Sequence, residues 1–122
     1  MNNKQIGTEF EHEMVELLTQ EGYWVHFIAP DSRGAQPFDI IAVKNGEAFA
    51  IDCKTCVANK FTIRRLEYNQ IFAFELWMKR GNKIPLIMVK HDDKIYKISY
   101  DQLRRNETIK LNTENEWKGK EL

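Results

Sequence analysis

The chain predicts an α/β fold: a mixed β-sheet with helices packed on it, in the order α-β-β-β-α-β-β. Three observations carry this reading. Apolar residues recur at helical spacing near the N-terminus. Two apolar runs flank Asn45-Gly46. An apolar helical stretch then separates that hairpin from a second pair of strand-like runs.

Residues 4–21 place Ile6, Phe10, Met14, Leu17 and Leu18 on one side of a helix. Thr8 offers a cap for a slightly later start, with Glu11 three residues on as its capping-box partner, and Gly22 ends the helix. Tyr23 to Ile28 reads as a strand of aromatic and β-branched residues, and 29–37 as a loop. Phe38–Lys44 and Glu47–Thr55 form the hairpin, because Asn-Gly takes the positive φ angles of a two-residue type I′ turn. Residues 56–64 are polar and expected to be irregular. Residues 65–80 form a second helix, ended by Lys79, Arg80 and Gly81. Its second half is apolar nearly all round, so part of it is expected to meet either a second subunit or the C-terminal segment. It should provide a right-handed crossover between the strands at 47–55 and 84–90. Strands at 84–90 and 94–100 join at His91-Asp-Asp, and Asp101 caps a short helix. Residues 110–122, rich in Asn, Glu and Lys, are expected to fray.

With 122 residues the chain suits one domain spanning 1–122. Lys and Arg total 18, as do Asp and Glu, so bulk charge does not draw this protein to polyanions, though a local basic surface remains open. No apolar run approaches the ~20 residues of a membrane helix, and no apolar segment follows the first residues. These features predict a cytoplasmic protein without membrane attachment. Cys53-Lys-Thr-Cys56 is nominally a C-x-x-C, but its first Cys lies inside a strand and no second Cys pair exists for a structural zinc. Buried or incidental thiols are the better reading.

The hairpin carries the chemistry. Its turn fixes the register, so Lys44 faces Glu47, Ala42 faces Phe49, Ile40 faces Ile51, and Asp39 falls opposite Asp52. Facing Cβ atoms stand roughly 4.5–5.5 Å apart, where like charges repel. Two carboxylates at the open end of an apolar hairpin call for something positive between them, and a divalent metal is the natural candidate. Lys54 shares the face of Asp52, and an ammonium beside a metal-binding pair suits phosphate-ester hydrolysis. On hairpin geometry alone a second reading stands equally: a solvated charge cluster in which Lys54 neutralises one acid.

These residues match a known pattern. Glu11 in the first helix, Asp39 within Pro37-Phe-Asp39-Ile-Ile, and Asp52-Cys-Lys54 in the next strand resemble the PD-(D/E)xK nuclease superfamily. Ile6-Gly-Thr-Glu-Phe-Glu11-His-Glu-Met-Val-Glu-Leu-Leu18 resembles the opening helix of archaeal-type Holliday-junction resolvases. Asp52-Cys-Lys54-Thr55, Phe61 and Asn69-Gln70 resemble the RecU-type resolvases. The likeness spans roughly residues 6–100. This sequence has Phe38 between the motif's Pro and Asp, Asp52 where Glu is commoner, and His12 where the archaeal-type helix usually has Arg. Its loop at 29–37 is too short for the RecU insertion.

The resemblance implies a restriction-endonuclease-like core and a Mg²⁺-dependent DNA endonuclease, with Mn²⁺ able to substitute. A homodimeric Holliday-junction resolvase, of the compact kind that suits a phage, is the leading reading. By resemblance, Asp39, Asp52 and the backbone carbonyl of Cys53 would ligate metal, and Glu11 would hold a metal-bound water or a second ion. Lys54 would orient the attacking water, and Gln70 would orient Lys54 or touch DNA. Ser32, Arg33, Thr55, Lys60, Arg64 and Arg65 are the candidate DNA contacts. Cations at a helix start are disfavoured, which turns the Lys60, Arg64 and Arg65 cluster toward a phosphate partner. A plain loop, β-propensity and a solvated helix residue are the structural alternatives for Ser32-Arg33, Thr55 and Gln70. His26 and His91 lack ligand-like companions, and the aromatics at 68–77 read as core. The competing functions are a duplex-cleaving restriction or repair nuclease of the same fold, and an inactive DNA-binding module.

Overall fold

A computed structural model describes residues 2–29 and 36–122. Helix α1 (Asn3–Gln20) starts earlier than Thr8 would allow, because Asn2 caps it. The Asn2 side chain accepts from the Gln5 N–H at 2.9 Å, and Gln5 Oε1 accepts from the Asn2 N–H at 2.8 Å. Thr8 lies inside the helix, its hydroxyl donating to the Lys4 carbonyl. Strands β1 (Trp24–Phe27), β2 (Ile40–Lys44) and β3 (Glu47–Thr55) form an antiparallel meander. Asn45 and Gly46 take φ of 53° and 79°, and the register pairs Lys44 with Glu47, Ala42 with Phe49 and Ile40 with Ile51, as the turn predicts.

Residues 56–64 are not irregular. Lys60–Thr62 form a short strand, β4, and Ile63–Arg65 a 3₁₀ turn. Three residues are too few to show alternation, but Phe61 is fully buried and pins the strand. Helix α2 (Tyr68–Lys79) follows, with Gly81 just beyond its end at φ 85°. Strand β5 (Leu86–His91) lies parallel to β3, which requires a crossover, and α2 lies within it. Strand β6 (Lys94–Ser99) returns antiparallel through Asp92 and Asp93, both at positive φ. The sheet runs β1-β2-β3-β5-β6, which contains all five strands read from the sequence.

Helix α3 (Tyr100–Asn106) is capped by Ser99 rather than Asp101, which sits in its first turn. Strand β7 (Thr108–Lys110) pairs with β4 in a small second sheet. The segment after it is packed rather than frayed. Leu111 and Trp117 are buried, the Trp117 N–H donates to the Ile95 carbonyl at 2.7 Å, and the Lys97 N–H donates to the Asn115 carbonyl at 2.8 Å. Two apolar side chains spaced six apart outweigh a polar composition.

Apolar residues pack on both faces of the sheet. Phe10, Met14 and Leu18 of α1 meet Ile40, Ala42, Ile51, Cys53 and Met88 on one face. Phe74 of α2 meets Phe38, Ala50, Ile87, Val89 and Tyr100 on the other. Alternation along β3 therefore sends Ile51 and Cys53 toward α1, and Ala50 and Asp52 toward α2. Among the described residues no helix is long and apolar enough to cross a membrane.

Candidate active site

Alternation places the Asp52 side chain on the α2 face with no exposure at all. A buried carboxylate there needs partners. Gln70, in the first turn of α2, donates from Nε2 to Asp52 Oδ1 at 2.9 Å. Its Oε1 accepts from Lys54 Nζ at 3.2 Å and from the Glu67 N–H at 3.1 Å. The amide is thereby locked between a carboxylate and an ammonium. Lys54 Nζ also lies 3.2 Å from Asp52 Oδ2. That approach offsets charge, yet Oδ2 keeps no hydrogen-bond donor of its own.

Asp39 sits one residue before the last ladder pair, Ile40–Ile51; its N–H donates to the Ile51 carbonyl at 3.1 Å, so the hairpin register expected from the turn stops short of pairing it with Asp52. Its backbone is held by Ile28 and Ile51. Its carboxylate leans one residue along: Oδ2 accepts from the Cys53 N–H at 2.8 Å, and Oδ1 accepts from Gln36 Nε2 at 2.5 Å. Beyond Ile40 the two strands part. The Cys53 N–H faces that fork, and because a strand residue presents its N–H and C=O to the same side, the Cys53 carbonyl faces it too.

The electrostatics are those of crowded acids. Burial first, then the charge of Asp39, pushes the Asp52 carboxyl well above the ordinary range, with Lys54 pulling the other way. Burial and Asp39 push the Glu11 carboxyl on α1 up to about 7, again opposed by Lys54. Glu11, Asp39, Asp52 and Lys54 therefore share one field. Burial, then the three acids, raises the Cys53 thiol well above its usual value, which disfavours the thiolate that redox chemistry uses. Cys56 donates from Sγ to the Lys60 carbonyl instead.

The donor set fits a hard divalent cation. Asp52 Oδ2 is a buried acceptor with only the Lys54 ammonium beside it, Asp39 is close, and the Cys53 carbonyl faces the same fork. Among the described residues no three His, Cys, Asp or Glu side chains are grouped to hold a metal. Main-chain oxygen and water would complete such a shell, a composition Mg²⁺ accepts.

The structure thus brings together Asp39, Asp52, Lys54 and Gln70, with the Cys53 backbone, and couples Glu11 to them by charge. It separates Thr55, which lines a groove on the α1 side with Glu9, Phe10, Glu13 and Lys90. Arg65 is engaged structurally: it donates to the Thr55 carbonyl at 2.9 Å and covers the Phe61 ring at 5.4 Å. Lys60 and Arg64 are exposed. Ser32 and Arg33 lie outside the described residues. Sequence reasoning missed Gln36, whose bond to Asp39 has no sequence signal beyond its nearness to Pro37 and Asp39.

The forked hairpin and its acids, on this five-stranded sheet, define the class: a restriction-endonuclease-like α/β core. The chain belongs to the archaeal Holliday junction resolvase (Hjc) family, whose model matches residues 2–122. Members of that family generally work with a divalent metal. The chain is 33% identical over 89 residues to the crossover junction endodeoxyribonuclease Hje of Saccharolobus islandicus, covering 72% of this chain and 65% of that protein. It is 34% identical over 68 residues to the Hjc of Methanocaldococcus jannaschii, covering 56% and 48%. A crossover junction endodeoxyribonuclease of Sulfolobus islandicus rod-shaped virus 1 is 28% identical over 116 residues, covering 91% and 95%. The chain thus spans 65% and 48% of the two cellular relatives. The crystal structure of Archaeoglobus fulgidus Hjc superposes with a TM-score of 0.64 at 20% identity, covering 84% of this chain and 85% of that one, which establishes the shared fold.

Proposed function

We propose that this protein is a divalent-metal-dependent endodeoxyribonuclease that cleaves Holliday junctions. The observation that carries the reading is Asp52, fully buried with Lys54 paired to its Oδ2 and the charge of Asp39 close by at the strand fork. A site built only for stability would have no reason to bury one carboxylate completely beside a second acid. Mg²⁺ is the proposed cofactor, with Mn²⁺ as a substitute. Asp39, Asp52 and the Cys53 carbonyl would hold it, and Glu11 would hold a water or a second ion. The bound metal would supply charge stabilisation at the phosphate and a more acidic water.

The chain's own groups do the rest. Lys54, held by Gln70 and Asp52, orients the attacking water and offsets charge on the phosphate. The water oxygen forms the new P–O bond, the bond to the leaving sugar oxygen breaks, and that oxygen departs with a proton. Lys60 and Arg64 contact backbone phosphates, and Ser32 and Arg33, which precede Asp39 in sequence, are the further candidates. Phosphate contacts of this kind fix position without reading sequence.

A homodimer would present a site to each of two strands. Tyr68, Phe72 and Leu76, spaced four apart on α2, are 91%, 71% and 38% exposed and supply an apolar face for it. Two free cysteines suit the reducing cytoplasm. The test compares cleavage of a four-way junction and a matched linear duplex with Mg²⁺, using wild type and Asp52→Asn. Junction-selective cutting by wild type alone is expected, with the variant down about 10²-fold or more. Equal rates on both substrates would point to a duplex nuclease. DNA binding with no turnover in either protein would leave a binding module.

A further inference from the structure

We propose that Asn69 and Gln36 are positioning residues for Asp39, so that the first turn of α2 sets both carboxylates of the site. The inference rests on the metal-dependent nuclease reading above. Asn69 Nδ2 donates to the Gln36 carbonyl at 2.6 Å, and Gln36 Nε2 donates to Asp39 Oδ1 at 2.5 Å. The Cys53 N–H holds the other oxygen, so the Asp39 carboxylate is gripped at both atoms. The neighbouring helix residue, Gln70, grips Asp52. Adjacent helix residues point about 100° apart. Asn69 thus reaches the segment before Asp39 while Gln70 reaches β3.

The chemistry of the relay suits a metal ligand. A neutral amide fixes a carboxylate without cancelling its charge, which stays available to a cation; an arginine in its place would compete. The anchor is rigid, because α2 buries Phe74 completely and its Trp77 Nε1 donates to the Lys83 carbonyl at 2.8 Å. Partners that orient a ligating carboxylate govern how well it binds metal, and their loss costs about 10–100-fold in affinity or activity.

The experiment uses the full chain carrying Gln36→Ala, Asn69→Ala, or both. Mn²⁺ binding is titrated by electron paramagnetic resonance, the Mg²⁺ dependence of junction cleavage is measured, and melting temperature and metal-free junction binding are recorded alongside. Each single variant should weaken Mn²⁺ binding about 10-fold or more and raise the Mg²⁺ needed for half-maximal cleavage in step. Melting temperature and metal-free DNA binding should stay at wild-type values. The double variant should match the worse single one, because the two residues act in series. Wild-type Mn²⁺ affinity in either single variant overturns the relay, as do losses that multiply in the double variant or that merely follow a fall in melting temperature. A wild type that binds Mn²⁺ yet cuts no DNA would sink the nuclease reading, while the Mn²⁺ titrations still decide the relay. A wild type that binds no Mn²⁺ would overturn both.

Discussion

At the scale of single residues, the site is a set of like charges held in place by neutral amides and one lysine. Asp52 has no exposure and relies on Lys54 for charge balance. Lys54→Met should destabilise the metal-free protein by about 3 kcal/mol, as when one partner of a buried pair is removed. Chemical denaturation in EDTA would measure it, and Mg²⁺ should recover part of the loss. Burial and then the charge of Asp39 push the Glu11 carboxyl up to about 7 in the fold, against 4.5 in an unfolded chain. The folded state therefore holds the extra proton between those values, and stability falls as pH rises through that window. Metal-free melting temperature should drop from pH 4.5 to pH 7, and Glu11→Gln should flatten that slope. Stabilisation by added Mg²⁺ should grow over the same range, since deprotonated acids bind it better. An unchanged slope in Glu11→Gln would assign the effect to Asp52 alone. The sequence made Asp52 and Lys54 legible because alternation along one strand puts them on the same face, whereas the turn's register runs out at Ile40, one residue short of Asp39. It could not show Gln36, because that residue is placed by a contact with Asn69, 33 residues away.

At the scale of elements, local rules succeeded where a motif had one geometry. Asn45-Gly46 set the hairpin, and Gly81 ended α2. They failed where short pieces borrow stability from distant ones: β4 exists because β7 pairs with it across the chain. The aromatics of α2 divided in two. Phe74 and Trp77 face the core as read from the sequence, whereas Tyr68 and Phe72 face solvent. Phe72→Asp should leave the monomer folded and convert the proposed dimer to monomer, with sedimentation velocity as the measurement. Dimers persisting at the same concentration would move the interface elsewhere.

At the scale of the whole molecule, the polar C-terminal segment closes the structure. Trp117 fills the α1-side core, and Leu122 N–H donates to the Tyr23 hydroxyl at 2.8 Å. Trp117→Ala should cost about 3–5 kcal/mol, read by urea denaturation. A cost under 1 kcal/mol would mean the segment merely rests on the surface. Composition hid this role, because one tryptophan among Asn, Glu and Lys does not register as a core element.

The same segment has a consequence for how copies of the chain associate. Residues 115–117 bond to β6, through the bridge between Tyr96 and Glu116 and its neighbouring hydrogen bonds. That margin of the sheet is shielded, whereas the outer margin of β1, with Trp24 63% exposed, carries no strand among the described residues. A ribbon with a single adhesive border joins once and stops. Heat-stressed protein should therefore accumulate as discrete pairs, and removal of the segment should release fibrillar growth.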